Sequence, residues 1–290
     1  MGISNDGHEA LPKRLHKNHQ GYLGETISLA PTTAEILNIA KASGFQIQYL
    51  QSQRTSEDSP TKAPLELLWL RREVAPDKPW VYISSGVHGD EPAGPLAILE
   101  WLKSYQYLDE INLDLFPCLN PRGLESNCRN TLEGYDLNRD YLCRLSTEAK
   151  LHTAWFEEDS KINSRRPKYA ASICLHEDWE ADGFYLYEVN PAKLPSYADT
   201  VIQSVEKYFP IDRADWIDGR PARDGVIRPE DNPALRNEWP EAIYMIAENI
   251  SLRNFTLETS SDFDLEARVQ ALVKALSSLI SCIQLEGQHP

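Results

Sequence analysis

The stretch WVYISSGVHGDEPAGPLAILEWLKSY (residues 80–105) decides how the rest of the chain is read. Its first six residues are apolar or small, the pattern of a strand buried on both faces. The segment PAGPLAILEWLKSY then sets Leu96, Leu99 and Leu102 in helical phase. Between strand and helix, a glycine-flanked loop carries His88 and Glu91, three positions apart. Strand, tight loop and helix form the repeating unit of α/β folds. Ligands in such folds bind in the crevice beyond the carboxyl ends of the strands. His88 stands at such an end. An isolated HxxE says little, because surface histidines and glutamates are common; the placement is what makes this one informative.

Working outward, further apolar or β-branched runs read as strands: LELLWL (65–70), LDLFPCL (113–119), YAASICL (169–175), FYLYEV (184–189), AIYMIA (242–247) and RNFTLET (253–259). FQIQYL (45–50) alternates like a half-buried strand. Helical patterns occupy AKLPSYADTVIQSVEKYF (192–209) and DLEARVQALVKALSSLISCIQ (264–284). In the second, Leu265, Val269, Leu272, Leu276, Leu279 and Ile283 form one stripe whose role is core packing. PTTAEILNIAKA (31–42) reads as a helix with a Thr32–Glu35 capping box. Strands alternating with helices imply one α/β domain over residues 31–290, with a largely parallel or mixed sheet. Residues 1–30 are polar and are expected to be loose, with His16 and His19 on a solvated tail. Residues 210–240 are rich in Pro, Gly and Asp and poorly periodic, as binding loops or lids are.

Composition narrows the function. With 29 Lys+Arg against 44 Asp+Glu, the formal charge is −15, which disfavours nucleic acid as a partner. Local basic spots can still serve acidic substrates. Five cysteines without a CxxC argue against a disulfide framework or a cysteine-rich zinc site, and fit a reducing compartment. The N-terminus has no apolar core of a secretory signal, and no apolar run approaches the roughly 20 residues of a membrane span. The opening Met-Gly resembles a myristoylation start, but Asp6 occupies the position where Ser or Thr is wanted. The expectation is a soluble cytoplasmic protein with no membrane partner.

Two more strand ends carry chemistry. His176 follows YAASICL, and Glu258 closes RNFTLET. Two histidines, a glutamate and a water make a recognised open zinc site. His88, Glu91 and His176 are therefore the expected ligands of one zinc ion, with Glu258 left as a base. Each residue alone has a structural alternative: a strand-end histidine can cap a carbonyl, and Glu258 can be a charge near the start of a helix. The intervening CLNPRGLESNCRNTLEGYDLNRDY (118–141) sets Arg129, Asn138 and Arg139 in loop sequence. Such arginines either pair with surface acids or hold a substrate carboxylate and steady an oxyanion. No GxSxG nucleophile elbow is present.

Taken in order, HxxE, NPRG, Arg129, DLNR, His176 and LET resemble the zinc carboxypeptidase family of the carboxypeptidase A type, over roughly residues 65–282. The NPRG to DLNR stretch looks most like bacterial murein peptide amidases. The resemblance implies a single α/β domain with a twisted mixed sheet of about eight strands between helices. It implies His88, Glu91 and His176 as zinc ligands and Glu258 as general base. Arg129 would polarise the scissile carbonyl, and Asn138 and Arg139 would hold the substrate carboxylate. No motif places the family's substrate-capping tyrosine; Tyr244, 14 residues before Glu258, is one candidate among the 13 tyrosines. The implied substrate is a small peptide or muropeptide with a free carboxylate, such as one containing γ-D-Glu-diaminopimelate; oligomeric state is left open. Some residues depart from the family pattern. Asp140-Tyr141 after DLNR is expected to add negative charge near the carboxylate pocket, His176 runs into the acidic and aromatic EDWEADGFYLYE, and Ser260 follows LET. An alternative reading is an N-acyl amino acid deacylase of the aspartoacylase/succinylglutamate desuccinylase type, which shares HxxE, the arginine and DLNR-like elements. A second is a zinc-bearing binding protein without catalysis, and a third a globular protein whose motifs coincide by chance.

Overall fold

The structure, a computed structural model, describes residues 10–17, 25–52, 64–104, 108–162, 168–229 and 233–287. Its strands are β1 (Gln46–Gln51), β2 (Glu66–Arg72), β3 (Trp80–Ser85), β4 (Asn112–Phe116), β5 (Ala171–Asp178), β6 (Tyr185–Val189), β7 (Trp216–Ile217), β8 (Arg220–Pro221), β9 (Val226–Ile227) and β10 (Asn254–Ser260). The helices are α1 (Leu29–Ala42), α2 (Ala93–Ser104), α3 (Pro121–Glu125), α4 (Thr147–Ile162), α5 (Ala198–Val205), α6 (Glu241–Ala247) and α7 (Leu265–Gly287). Eight strands form one mixed sheet in the order β1-β2-β4-β3-β5-β10-β6-β9. The central pairs β4–β3, β3–β5 and β5–β10 are parallel. Antiparallel pairs flank them, and β7–β8 is a separate hairpin.

Every residue of β3 is buried, because both faces of the sheet are covered. Val81 and Ile83 enter the layer built with α1, α2, α5 and α7. Trp80 and Tyr82 face the opposite, aromatic layer, where α4 brings Trp155 and Phe156 and α6 brings Tyr244. The stripe expected on α7 is buried as its periodicity requires. By length and composition alone this helix could cross a membrane, contrary to the reading that no run comes close; half of that window is packed inside the fold.

The aromatic layer is organised by a buried carboxylate. Asp114 of β4 accepts from Trp69 Nε1 (2.9 Å), Arg71 Nε (2.8 Å) and Nη2 (2.9 Å), and Tyr169 OH (2.6 Å). The Arg71 guanidinium also lies over the Trp69 and Trp80 rings, 4.9 and 5.0 Å from their centroids. Asp114→Ala strands these donors in a buried setting, so a loss of about 3–5 kcal/mol is expected. Urea denaturation at neutral pH measures it; a loss below about 1 kcal/mol would show that the network contributes little.

Several local readings are corrected. AIYMIA is the helix α6, not a strand: six apolar residues carry no period, and its contacts with both β5 and β10 decide the outcome. α1 begins at Leu29, so Thr32 is inside the helix and bonds back to Ser28 O rather than forming a capping box. The helix read over 192–209 is confined to α5, beyond Pro195. Residues 210–240 are not wholly irregular, since they supply the β7–β8 hairpin and the edge strand β9. Residues 10–17 are pinned rather than loose: Leu15 N–H donates to Asp262 O, Lys17 N–H to Asp262 Oδ1, and Arg14 pairs with Asp262 at 2.7 Å. His19 and the opening Met-Gly lie outside the described residues. All five cysteines are free thiols.

Candidate active site

The chain leaves β3 through Gly86, whose φ of +61° suits glycine and where a Cβ would press on Cys118 Sγ. At Gly89 the constraint is closer still. A Cβ there would lie 2.0 Å from the Gly123 carbonyl carbon and 2.4 Å from Cys128 O. The 86–91 loop therefore rests directly on the 120–129 loop, and Gly89 N–H donates to Arg129 O. Asn120 secures that second loop. It caps α3 through Gly123 N–H, its own N–H reaches Gly86 O, and its side-chain amide reaches Arg129 O.

His88 and Glu91 project from the first loop, and His176 from β5. All three are buried, and their donor atoms lie within 4.8 Å of one another. Glu91 spans the pair: Oε1 is 2.5 Å from His88 Nδ1, and Oε2 is 3.0 Å from His176 Nδ1. Burial alone would raise the Glu91 carboxyl pKa, but the two imidazoles outweigh it and hold it well below the usual range. Burial pushes His176 down. His88 meets the same penalty, but Glu91 and Asp136 overcome it and the net shift is upward. Two neutral-capable imidazole nitrogens and an anionic oxygen, converging in a buried pocket, fit a borderline divalent cation.

Glu258 is placed by backbone register. β5 and β10 run parallel with His176 directly opposite Glu258, and alternation points both toward the cavity. Burial, then the charges of Glu91, Asp178 and Asp218, push the Glu258 carboxyl well above the carboxylate range. Thr256, two residues back on the same face, lines the same cavity.

Asp136, the first residue of DLNR, is a site residue that the sequence reading passed over. It caps the short 3-10 turn Leu137–Arg139 through Asn138 N–H, and the same Oδ1 lies 3.2 Å from His88 Nε2. Its other oxygen accepts from Arg129 Nε at 3.2 Å. Asp136 thus fixes the His88 ring and the Arg129 fork together. An acid preceding Asn138 and Arg139 was the available signal, but sequence spacing does not show which ring nitrogen it meets. Asp136→Asn is expected to weaken metal affinity about 10–100-fold with the fold intact, measured by chelator competition. An unchanged affinity would deny it this role.

The cavity in front of these groups has a volume of about 1040 Å³. Arg129, Asn138, Arg139 and Glu258 line it with the three candidate ligands. Asn138 Oδ1 accepts from Glu241 N–H (3.0 Å), which leaves its amide nitrogen as the donor for other partners. Arg139 is partly exposed, 3.7 Å from Glu238. Two expectations fail here. Asp140 does not line the cavity: its carboxylate faces Leu145 N–H, Ser146 N–H and the Ser146 hydroxyl, from which it accepts. Tyr244 does not reach the cavity: it is buried in the aromatic layer, its ring 5.5 Å from Tyr141 and 5.8 Å from Phe156, while Ala242 and Ile243 of α6 line the cavity. Asp218, Arg220 and Glu238, from the segment read as a possible lid, form part of the cavity wall.

Residues 77–172 match the family model for the succinylglutamate desuccinylase/aspartoacylase catalytic domain. The match holds His88, Glu91, Arg129, Asn138 and Arg139 but stops short of His176 and Glu258. A protein of Shewanella denitrificans OS217, provisionally described as a metallopeptidase, superposes with a TM-score of 0.72 at 24% identity, covering 88% of this chain and 90% of that one. A metallo-carboxypeptidase of Burkholderia cenocepacia superposes with a TM-score of 0.57 at 17% identity, over 89% of this chain and 71% of that one. The fold is carboxypeptidase-like. A succinylglutamate desuccinylase of Silicibacter sp. TM1040 shares this carboxypeptidase-like fold, with a TM-score of 0.55 at 13% identity over 82% and 67% of the two chains. No curated protein matches the chain in sequence. Structural likeness therefore spans both the peptidase and the deacylase readings, while the family model falls on the deacylase side.

Proposed function

We propose that the protein is a zinc-dependent hydrolase that cuts an amide bond next to a free carboxylate. The observation that carries this reading is the convergence, in one cavity, of the His88–Glu91–His176 cluster, Glu258 beside His176, and Asn138 with Arg139. One zinc ion held by the three ligands would supply Lewis-acid polarisation of the carbonyl and a more acidic water. Glu258 takes the attacking water's proton and delivers it to the departing amine. Burial and neighbouring acids keep Glu258 protonated on their own; a cation held by His88, Glu91 and His176 would lower its pKa toward the range a base needs. Arg129, held by Asp136, supports the negative charge that develops on the carbonyl oxygen. Asn138 and Arg139 hold the carboxylate on the leaving side, which fixes the scissile bond in line with the base.

A cavity of about 1040 Å³ supports a peptide-sized substrate, at or above the upper end of ordinary small-molecule pockets. The favoured substrate is a cell-wall peptide cut between γ-D-Glu and diaminopimelate, handled in a reducing, cytoplasmic compartment. The family match over residues 77–172 favours a second reading, deacylation of short N-acyl amino acids. Zinc-loaded protein offered L-Ala-γ-D-Glu-diaminopimelate, N-succinylglutamate and N-acetylaspartate, with products read by mass spectrometry, separates the two. Release of diaminopimelate alone supports the first; cleavage of an acylated amino acid alone replaces it with the second.

A further inference from the structure

Glu241 is a buried carboxyl outside the roles assigned so far. It opens α6, whose next two residues line the cavity, and its backbone N–H donates to Asn138 Oδ1 at 3.0 Å. Its side chain turns away from the cavity, into the space between α6 and the sheet. There Tyr82 OH donates to Oε1 (2.6 Å) and Ser84 Oγ to Oε2 (2.9 Å), both from β3. The contacts continue. Tyr82 OH lies 2.9 Å from His152 Nε2 on α4, and His152 Nδ1 lies 2.8 Å from Tyr141 OH. Tyr141 is two residues after Arg139. One chain of hydrogen bonds therefore ties β3, α4 and α6 to both sides of the turn that carries Asn138 and Arg139.

We propose that Glu241 is a positioning residue for the substrate carboxylate, fixing Asn138 through its N–H and bracing the 138–141 turn through Tyr82, His152 and Tyr141. The proposal rests on reading Asn138 and Arg139 as the carboxylate anchor. It explains why a carboxyl is kept where an apolar side chain would pack without a desolvation cost.

The same geometry makes the anchor sensitive to protonation. The groups facing the carboxyl are Tyr82 and Ser84 from β3 and Cys174 from β5, and burial among them pushes Glu241 up to about 7. Farther along the chain stand His152 on α4 and Tyr141, with Asp140 and Tyr244 beside Tyr141. The links from Glu241 to Tyr141 persist in either state. With Glu241 ionised, Tyr82 donates to it, His152 Nε2–H donates to Tyr82, and Tyr141 donates to His152 Nδ1. With Glu241 protonated, each of these donors and acceptors reverses, and the His152 tautomer with them. An ionised Glu241 places negative charge behind the anchor and opposes a bound carboxylate. Below about pH 7 that charge is absent; above it, the charge is present. KM for a carboxylate substrate should therefore rise between pH 6 and 8.

The test compares zinc-loaded wild type, Glu241→Gln and Glu241→Ala on L-Ala-γ-D-Glu-diaminopimelate at pH 6 and pH 8, with kcat and KM read separately. Binding of free diaminopimelate and of glutamate is followed by calorimetry, and zinc content by elemental analysis. Wild-type KM is expected to rise about fivefold across this range, a typical coupling, and Glu241→Gln, neutral throughout, to remove the rise. Glu241→Ala, which loses the brace, is expected to raise KM about tenfold with one zinc retained and kcat within about threefold. If Glu241→Ala does not fold, the pH profile of Glu241→Gln decides. Wild type that cleaves the tripeptide, with a folded Glu241→Ala variant keeping KM within about twofold, overturns this proposal alone. A Glu241→Gln variant that keeps the wild-type rise in KM does the same. Wild type that cleaves none of the tripeptide, N-succinylglutamate and N-acetylaspartate, and binds neither diaminopimelate nor glutamate, overturns the anchor reading, and this proposal with it; where an acyl amino acid is the substrate, the same comparison is made with it.

Discussion

Glu258→Gln is expected to lower kcat by about 10²–10⁴-fold while the protein still carries one zinc ion. The substitution keeps the shape of the side chain and removes only its capacity to accept and return a proton. Glu258 is not among the three clustered donors, so metal content should not change. Stability should hold or rise, because burial and Glu91 already disfavour the charged form that the amide replaces. Steady-state kinetics with elemental analysis and a thermal midpoint test all three expectations. Turnover near wild type would remove Glu258 from the mechanism, and loss of zinc would make it a ligand instead of a base.

His176→Ala is expected to abolish metal binding and activity together, which distinguishes a ligand from a base. His176 meets Glu91 at 3.0 Å inside a buried pocket, so its removal takes away one of three donors and leaves a buried carboxylate short of a partner. The unmet carboxylate costs about 1–3 kcal/mol of stability. In wild type, zinc at a hundred times its Kd should stabilise the fold by about 2.7 kcal/mol. In His176→Ala that gain should vanish. Thermal melts with and without zinc read it directly, and a zinc-dependent gain surviving in the variant would show that the ion is held elsewhere.

The parts of the molecule legible in the sequence are those where one element carries its own signal. β3 and β10 were readable as short apolar or β-branched runs bounded by polar sequence, and α2 and α7 because their apolar residues keep a helical repeat over enough positions. α4 was missed, since its buried face includes His152 and Thr153 and so hides the apolar repeat. α6 was misread because seven residues are too few to show a period. The strand order was not legible either: β4 inserts between β2 and β3, and β10 between β5 and β6, through pairings of distant segments. At the candidate site, His88, Glu91, His176 and Glu258 stood out because strand ends in α/β sheets converge on one edge. Asp136 did not, because its role depends on which nitrogen of His88 it meets. Tyr244 was assigned by distance along the chain from Glu258, and that distance says nothing of which side of a short helix a residue occupies.

The pairing of β5 with β10 sets His176 opposite Glu258 through main-chain hydrogen bonds in the middle of the sheet. The candidate site is thus encoded in a ladder that tolerates no slippage, since a shift of one residue would send one of the two to the opposite face. The wall carrying Asp218, Arg220 and Glu238 belongs to a separate stretch, made of a two-residue hairpin, its turn and connecting loop. On the proposed function, reaction and selectivity would lie in different parts of the chain. Insertion or exchange in that wall would then change which substrates fit while leaving the His176–Glu258 pairing intact.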